Sequence, residues 1–169
     1  MSQPQPLAGF FRRWAALLYE ALLLVAIVFI ASFLLTPLVS PGTSARGDLV
    51  MPSSTARVVS FVALFTLGAA FFVYSWSEGR RTLPMKAWRL ALVTDATAPV
   101  PRRVALLRYV AAWIGPALAI VAFALLAPRG LSALAWPLLF LNWLAALVDP
   151  QRQFLHDRLA GTRIIVSPR

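Results

Sequence analysis

The sequence predicts an all-α membrane protein: a bundle of four transmembrane helices with a cytoplasmic interfacial loop between spans two and three. Its mean hydropathy is +0.75, and 60% of its 169 residues are hydrophobic whereas only 13% are charged. A bilayer core of about 30 Å requires roughly 20 apolar residues per helix. Four segments approach or meet this length, namely residues 14–36, 58–77, 106–127 and 131–148. We expect one membrane domain with a tail at 149–169.

Proline and glycine mark the predicted ends of the spans. The first apolar run is too long for a cleavable signal peptide and has no small-x-small cleavage site before Pro37, so we expect it to persist as a helix. Pro37, Pro41 and Gly42 are expected to end the first span. Residues 128–130 are expected to form the turn that ends the third span, and Asp149 with Pro150 is expected to end the fourth.

The distribution of basic residues predicts the orientation. Thirteen of the 16 Lys and Arg residues lie at the N-terminus, between spans two and three, or in the tail; Arg46, Arg57 and Arg129 lie on the other side. The positive-inside rule therefore places both termini and the central loop in the cytoplasm. Because the net charge of +10 is clustered between apolar stretches, the expected partners are membrane lipids with anionic headgroups and not nucleic acid.

The central stretch GRRTLPMKAWRLALVTDATAPVPRR is too charged to span a membrane and too apolar for a free linker. It is predicted to lie on the cytoplasmic face, extended or partly helical. Six aromatic residues near the proposed cytoplasmic boundary predict an interfacial belt: Trp14, Tyr74, Trp76, Tyr109, Trp113 and Trp143.

Glu20 is the one acidic residue within the first span. An ionised side chain at depth costs at least ~2.5–3.5 kcal/mol, so it usually faces the bundle interior, finds a partner and marks a site. Arg13 shares its helix face but lies about 10 Å away along the axis, too far for a close pair. Asn142 comes out at a similar depth and Tyr74 lies near the same leaflet, which predicts a polar pocket among spans one, two and four. The alternative is that Glu20 is hydrated or protonated and only fixes packing, and that Asn142 is an interhelical hydrogen-bonding residue.

The tail carries the single histidine, His156, beside Asp157. FLHDRLAGT is predicted to form a short amphipathic turn ending at Gly161, followed by the extended segment TRIIV. Proton sensing by His156 is one interpretation, and a structural or headgroup-binding role is the other. No cofactor and no metal site are expected. Cysteine is absent, and no nucleophile–base pair, metal-ligand cluster or phosphate-binding glycine loop is evident, so we do not expect an enzyme.

Three stretches together resemble the RDD family of small bacterial membrane proteins: AGFFRRWAALLYE, RRTLPMKAWRLALVTD and DPQRQFLHDRLAGTRIIV. The resemblance implies that the family's Arg corresponds to Arg13, its helical Asp to Glu20 and its last Asp to Asp157. Glu replaces Asp in the helix, and Pro84 stands where the family usually has Gly. The resemblance also implies a multi-span inner-membrane protein for which transport of unidentified ligands has been suggested.

Two functions remain open from the sequence. In the first, Glu20 is a cation- or proton-responsive carboxylate in a pocket open to the cytoplasm, Arg13 and Asp157 close its mouth, and a homo-oligomer completes the path for a small ion or ligand. Asn142, Tyr74 and His156 would support this charge network. In the second, the protein is a non-transporting membrane assembly, scaffold or lipid-interacting protein, and the same three charges pin the tail and central loop against span one.

Overall fold

The computed structural model describes residues 7–39 and 52–167, and these are mainly helical. Three helices in this part of the chain are long and apolar enough to cross a membrane: Phe10–Pro37, Ser54–Trp76 and Arg102–Arg129. A fourth apolar segment, Ser132–Val148, is shorter. The prediction of a helical membrane protein is therefore confirmed, whereas the count of four spans is not.

The first helix, α1 (Phe10–Val39), continues through Pro37, so the prediction that Pro37 ends it is wrong. Proline removes one backbone hydrogen bond from a helix. In a long apolar helix that single loss is tolerated, because neighbouring groups adjust to satisfy the backbone. The hydroxyl of Thr36 donates to the carbonyl of Ser32 at 2.7 Å just before this point. Pro41, Gly42 and Arg46 lie outside the described residues.

The second helix, α2 (Ser54–Trp76), leads into the central segment. Its first turn is capped by Ser53, whose hydroxyl accepts from the backbone N–H of Ala56 at 3.1 Å. A short helix, α3 (Leu83–Ala87), follows, and Thr82 caps it in the same way. Ser and Thr are favoured at this position because their oxygens satisfy N–H groups that the first helical turn leaves free. Thr82 is thereby fixed against the bundle.

A small sheet joins the central segment to the tail. Strand β1 (Leu90–Thr94) pairs antiparallel with β2 (Thr162–Val166), so that Leu90 faces Val166 and Thr94 faces Thr162. Helix α7 (Leu155–Ala160) precedes β2 and ends at Gly161 with a φ of 61°. The predicted turn ending at Gly161 and the extended TRIIV are confirmed. The all-α prediction omitted this sheet, since pairing between distant segments leaves no local periodicity to detect.

The third apolar helix consists of two parts, α4 (Arg102–Ala112) and α5 (Ile114–Leu126). The break has a local cause: Pro116 lacks the N–H that would bond the carbonyl of Ala112. The side-chain amide of Asn142 donates to that carbonyl at 2.8 Å. The interhelical hydrogen bond expected of Asn142 is therefore present, and it satisfies the carbonyl that the break leaves free.

The fourth apolar segment begins as a 3₁₀ helix, Ser132–Phe140, and continues as α6 (Leu141–Val148). It packs closely on α5 at Gly115, where an added Cβ would lie only 2.7 Å from the carbonyl oxygen of Leu138. Glycine thus permits the backbones of the two segments to approach, as small residues do between membrane helices. This contact sets the position of α6, and with it Asn142.

Candidate functional site

Glu20 lies inside the bundle, with 4% of its surface exposed. Its Oε1 atom accepts from the hydroxyl of Thr82 at 2.7 Å and from the indole N–H of Trp76 at 3.3 Å. The Thr82 oxygen itself accepts from the backbone N–H of Met85, so its hydrogen is directed toward Glu20. Both bonds end on Oε1, and Oε2 accepts no hydrogen bond from the described residues. One oxygen is held while the other stays available.

A second buried pair joins the third helix to the tail. Nε of Arg108 donates to Oδ1 of Asp157 at 2.7 Å, and the two side chains are 0% and 1% exposed. The guanidinium lies over the ring of Trp76, 4.0 Å from its centroid, while Nη1 and Nη2 have no hydrogen-bond partner in the described part of the chain. Trp76 therefore contacts both Arg108, through its ring face, and Glu20, through its N–H.

Arg13 is also buried, but its partner differs from the expected one. Its side chain is 3% exposed and donates from Nη2 to the backbone carbonyl of Gln151 at 3.3 Å. Among the described residues the ion pair of Asp157 is with Arg108 and not with Arg13. In the described part of the chain Arg13 therefore forms no ion pair with Glu20 or Asp157, and its charge interacts with Asp157 only at longer range. Arg13 instead ties the start of α1 to the turn before the tail.

Asp149 organises the turn before the tail, to which Arg13 is bonded. Its Oδ2 accepts from the backbone N–H groups of Gln151 and Gln153 at 2.9 and 3.0 Å, and Oδ1 accepts from Nε of Arg158 at 2.7 Å. These bonds favour the carboxylate, and the pKa of Asp149 is held below its ordinary value, chiefly by the Gln153 N–H. The turn in this form presents the Gln151 carbonyl to Arg13.

Asn142 connects the break in the third helix to the tail. Its Oδ1 accepts from the backbone N–H of His156 at 3.2 Å and lies 3.3 Å from Nδ1 of the same ring. Since the amide nitrogen already donates to Ala112, the oxygen faces His156, and Nδ1 carries the hydrogen. Burial lowers the pKa of His156 to about 4, with Asp157 opposing and Arg108 reinforcing the effect. The imidazole is thus neutral at ordinary pH.

A cavity of about 250 Å³ lies between these elements. Three polar side chains reach its wall, those of Glu20, Asn142 and His156. Most of the remaining wall is apolar, and five of its side chains are aromatic: Phe72, Trp76, Tyr109, Trp113 and Trp143. The arrangement is a small aromatic chamber with one carboxylate on its wall, close in volume to the lower end of small-molecule pockets, about 300 Å³.

Tyr74 does not belong to this cavity, and its predicted supporting place in the pocket is wrong. Its side chain is 65% exposed, and the guanidinium of Arg80 lies over its ring at 4.2 Å. Trp76, two residues further on, is only 5% exposed. Two residues rotate an α-helix by about 200°, so one side chain must face outward if the other faces in. The belt prediction also fails for Trp76 and for Tyr109, which is 3% exposed.

Three residues of this site were missed in the sequence. Arg108 was counted with the basic loop, although it interrupts the apolar stretch VALLRYVAA, and this interruption was the available signal. Thr82 precedes Leu-Pro, a pattern typical of a helix start, which predicts a capping hydroxyl. No local pattern distinguished Trp76 from an interfacial tryptophan.

Long apolar helices around a buried cluster of charged side chains define an integral membrane protein. The RDD family model matches residues 7–161, and the chain belongs to the RDD family. Neither the comparison with curated proteins nor that with solved structures found a match.

Proposed function

We propose that this protein moves a small cation across the bacterial cytoplasmic membrane, with both termini in the cytoplasm, and that Glu20 binds the cation during transfer. One observation carries the proposal: Glu20 lines a cavity inside the bundle while both of its hydrogen bonds end on Oε1. Oε2 is therefore available to a ligand. An acidic side chain buried among membrane helices usually marks an ion or proton pathway.

The surrounding contacts suit a binding carboxylate. Thr82 and Trp76 hold Glu20 in place, and Arg108 with Asp157 fixes Trp76 from the other side. A group held in this way needs little reorganisation when a ligand arrives. Because one chain provides only a small bundle, we propose that several copies assemble to complete the path.

Glu20→Gln is the substitution that tests transport. Purified protein in liposomes is expected to show pH- or cation-dependent flux, measured with an internal pH dye across a series of monovalent cations that includes both alkali-metal and organic ammonium ions. The amide keeps an oxygen for Thr82 and Trp76 but removes the negative charge, so the variant should insert and assemble while its flux falls to the level of empty liposomes.

Glu78→Gln is the matched control. Glu78 lies outside the membrane-spanning helices and pairs with Arg80 and Arg102, and its side chain is 47% exposed. This variant should retain the flux of the unchanged protein. Equal flux in the Glu20 variant and in the unchanged protein would overturn the mechanism.

The second candidate is a non-transporting membrane assembly or scaffold. Its support is the buried pair of Arg108 and Asp157, which ties the tail to the third helix, together with the bond from Thr82 to Glu20, which ties the central segment to α1. Under this function Asp157→Asn should increase protease cleavage of the tail, and neither the unchanged protein nor the variant should show flux. Glu20-dependent flux would exclude it.

A further inference from the structure

The carboxyl group of Glu20 has only neutral contacts in the described part of the chain. Among the described residues no cation lies within ion-pair distance of its carboxylate, since its two contacts are the neutral Thr82 and Trp76. The nearby guanidinium of Arg108 is engaged with Asp157 and with the face of Trp76. A buried carboxyl group can ionise without a contacting positive charge only at a high free-energy cost. A positive group placed at Oε2 would relieve this cost.

The rest of the wall selects the kind of cation. Tyr109, Trp113 and Trp143 line the cavity, and the Phe72 ring packs near them at a tilt against Trp76, with centroids 4.5 Å apart. Aromatic rings attract cations through their faces and also pack against alkyl and aryl groups. Cages of this kind recognise alkylated ammonium groups.

Other ligand classes fit the wall less well. A bare or hydrated metal ion takes several oxygen ligands, whereas this wall offers one carboxylate, and the amide of Asn142 is engaged with Ala112 and His156. An anion would meet the negative charge of Glu20. A neutral apolar molecule would leave that charge unpaired.

We infer, resting on the proposed function, that the cavity binds an organic ammonium cation with an apolar or aromatic substituent. Its nitrogen lies at Oε2 of Glu20, and its substituent packs against Tyr109, Trp113 and Trp143. The substrate class is thus a lipophilic ammonium compound and not an alkali-metal ion.

Benzyltrimethylammonium is the probe for this inference, because its charge does not change with pH and it combines an ammonium with a ring. Binding is measured by isothermal titration calorimetry on the full chain in nanodiscs of phosphatidylcholine, whose zwitterionic headgroups contribute no net negative charge. We expect saturable binding that benzenesulfonate at equal concentration does not reproduce. Glu20→Gln should weaken the affinity at least tenfold, and Glu78→Gln should leave it unchanged.

A second pair of variants keeps the inference testable if the Glu20 variant does not fold. Trp143→Leu removes a ring from the cavity and should weaken binding at least threefold. Trp136→Leu removes a ring that is 62% exposed and lies outside this cavity, and should have no effect. Equal affinities for all four variants, or no saturable binding to the unchanged protein, would overturn the inference.

The binding and flux experiments distinguish a failure of the ammonium site from a failure of transport. Glu20-dependent flux of alkali cations without binding of benzyltrimethylammonium would remove the ligand class and leave transport standing. Glu20-dependent binding without flux would remove transport and leave the ammonium site standing.

Discussion

Replacing Arg108 by methionine is expected to lower the free energy of unfolding by about 3–5 kcal/mol, the usual result of removing one partner of a buried ion pair. Methionine fills part of the volume but leaves the carboxylate of Asp157, which is 1% exposed, without its partner. The Thr162 hydroxyl at 3.4 Å is a weak remaining donor, and Nε2 of the neutral His156, at 3.6 Å, carries no hydrogen to donate. The cation–π contact with Trp76 is lost as well. Thermal unfolding and SDS titration of purified protein in mild detergent measure the change.

The double substitution Arg108→Met with Asp157→Leu identifies the cause. If the loss comes from an uncompensated buried charge, the apolar pair should recover most of the stability. Arg102→Met is the matched control, because Arg102 is 69% exposed and its ion pair with Glu78 is at the surface. The free energy of unfolding of this control should change little. A double variant as unstable as the Arg108 single variant would show that the buried charge is not the cause.

Acidification from pH 6.5 to 4 is expected to destabilise the protein through His156 by roughly 3 kcal/mol. Burial lowers the pKa of this residue to about 4 from its ordinary 6.5. Between these values the unfolded chain binds a proton that the folded chain does not, so stability falls as the pH falls through this range. Well above pH 6.5 the contribution of His156 is constant, because the imidazole is then neutral in both states.

His156→Asn separates this effect from the titration of carboxyl groups. The asparagine amide places a donor near the position of Nδ1, facing the oxygen of Asn142, but it does not titrate. Melting temperatures measured from pH 7 to 4.5 should fall less steeply for the variant than for the unchanged protein. Parallel slopes would contradict the account of a buried neutral imidazole.

Much of the architecture could be predicted from sequence, because apolar length and helix-ending residues are local signals. The burial of Glu20 followed from the cost of exposing a carboxylate to lipid. The end of α7 at Gly161 followed from the αL conformation that glycine adopts at a helix end. The continuation of α1 beyond Pro37 could not be predicted in this way, because the surroundings of a proline decide whether one missing hydrogen bond ends the helix.

The partners within the site depend on distant segments, and local patterns do not specify them. The sequence grouped only Arg13 with Asp157, and the packing of α4 on α7 is what brings Arg108 to that carboxylate. Trp76 and Tyr74 are equally suited to an interface by residue type, but the rotation of α2 turns Trp76 inward. Pairing of β1 with β2 also required the folded arrangement.

We expect a positively charged molecule to enter the chamber that Glu20 lines. The chain has no cysteine, so one introduced thiol reports on one position. Ala21 lines the cavity, whereas Leu22 is 60% exposed on the outer surface of α1. Ala21→Cys and Leu22→Cys therefore compare the chamber with the lipid-facing surface at adjacent residues.

Reaction of these two variants in liposomes with trimethylammonioethyl and sulfonatoethyl methanethiosulfonate is the most direct measurement. We expect Ala21→Cys to prefer the cationic reagent over the anionic one more strongly than a free thiol in solution does. Adding Glu20→Gln should remove this extra preference, and Leu22→Cys should stay unreactive with both reagents. An Ala21→Cys variant that reacts only after denaturation, or reacts with no charge preference beyond that of a free thiol, would contradict this expectation.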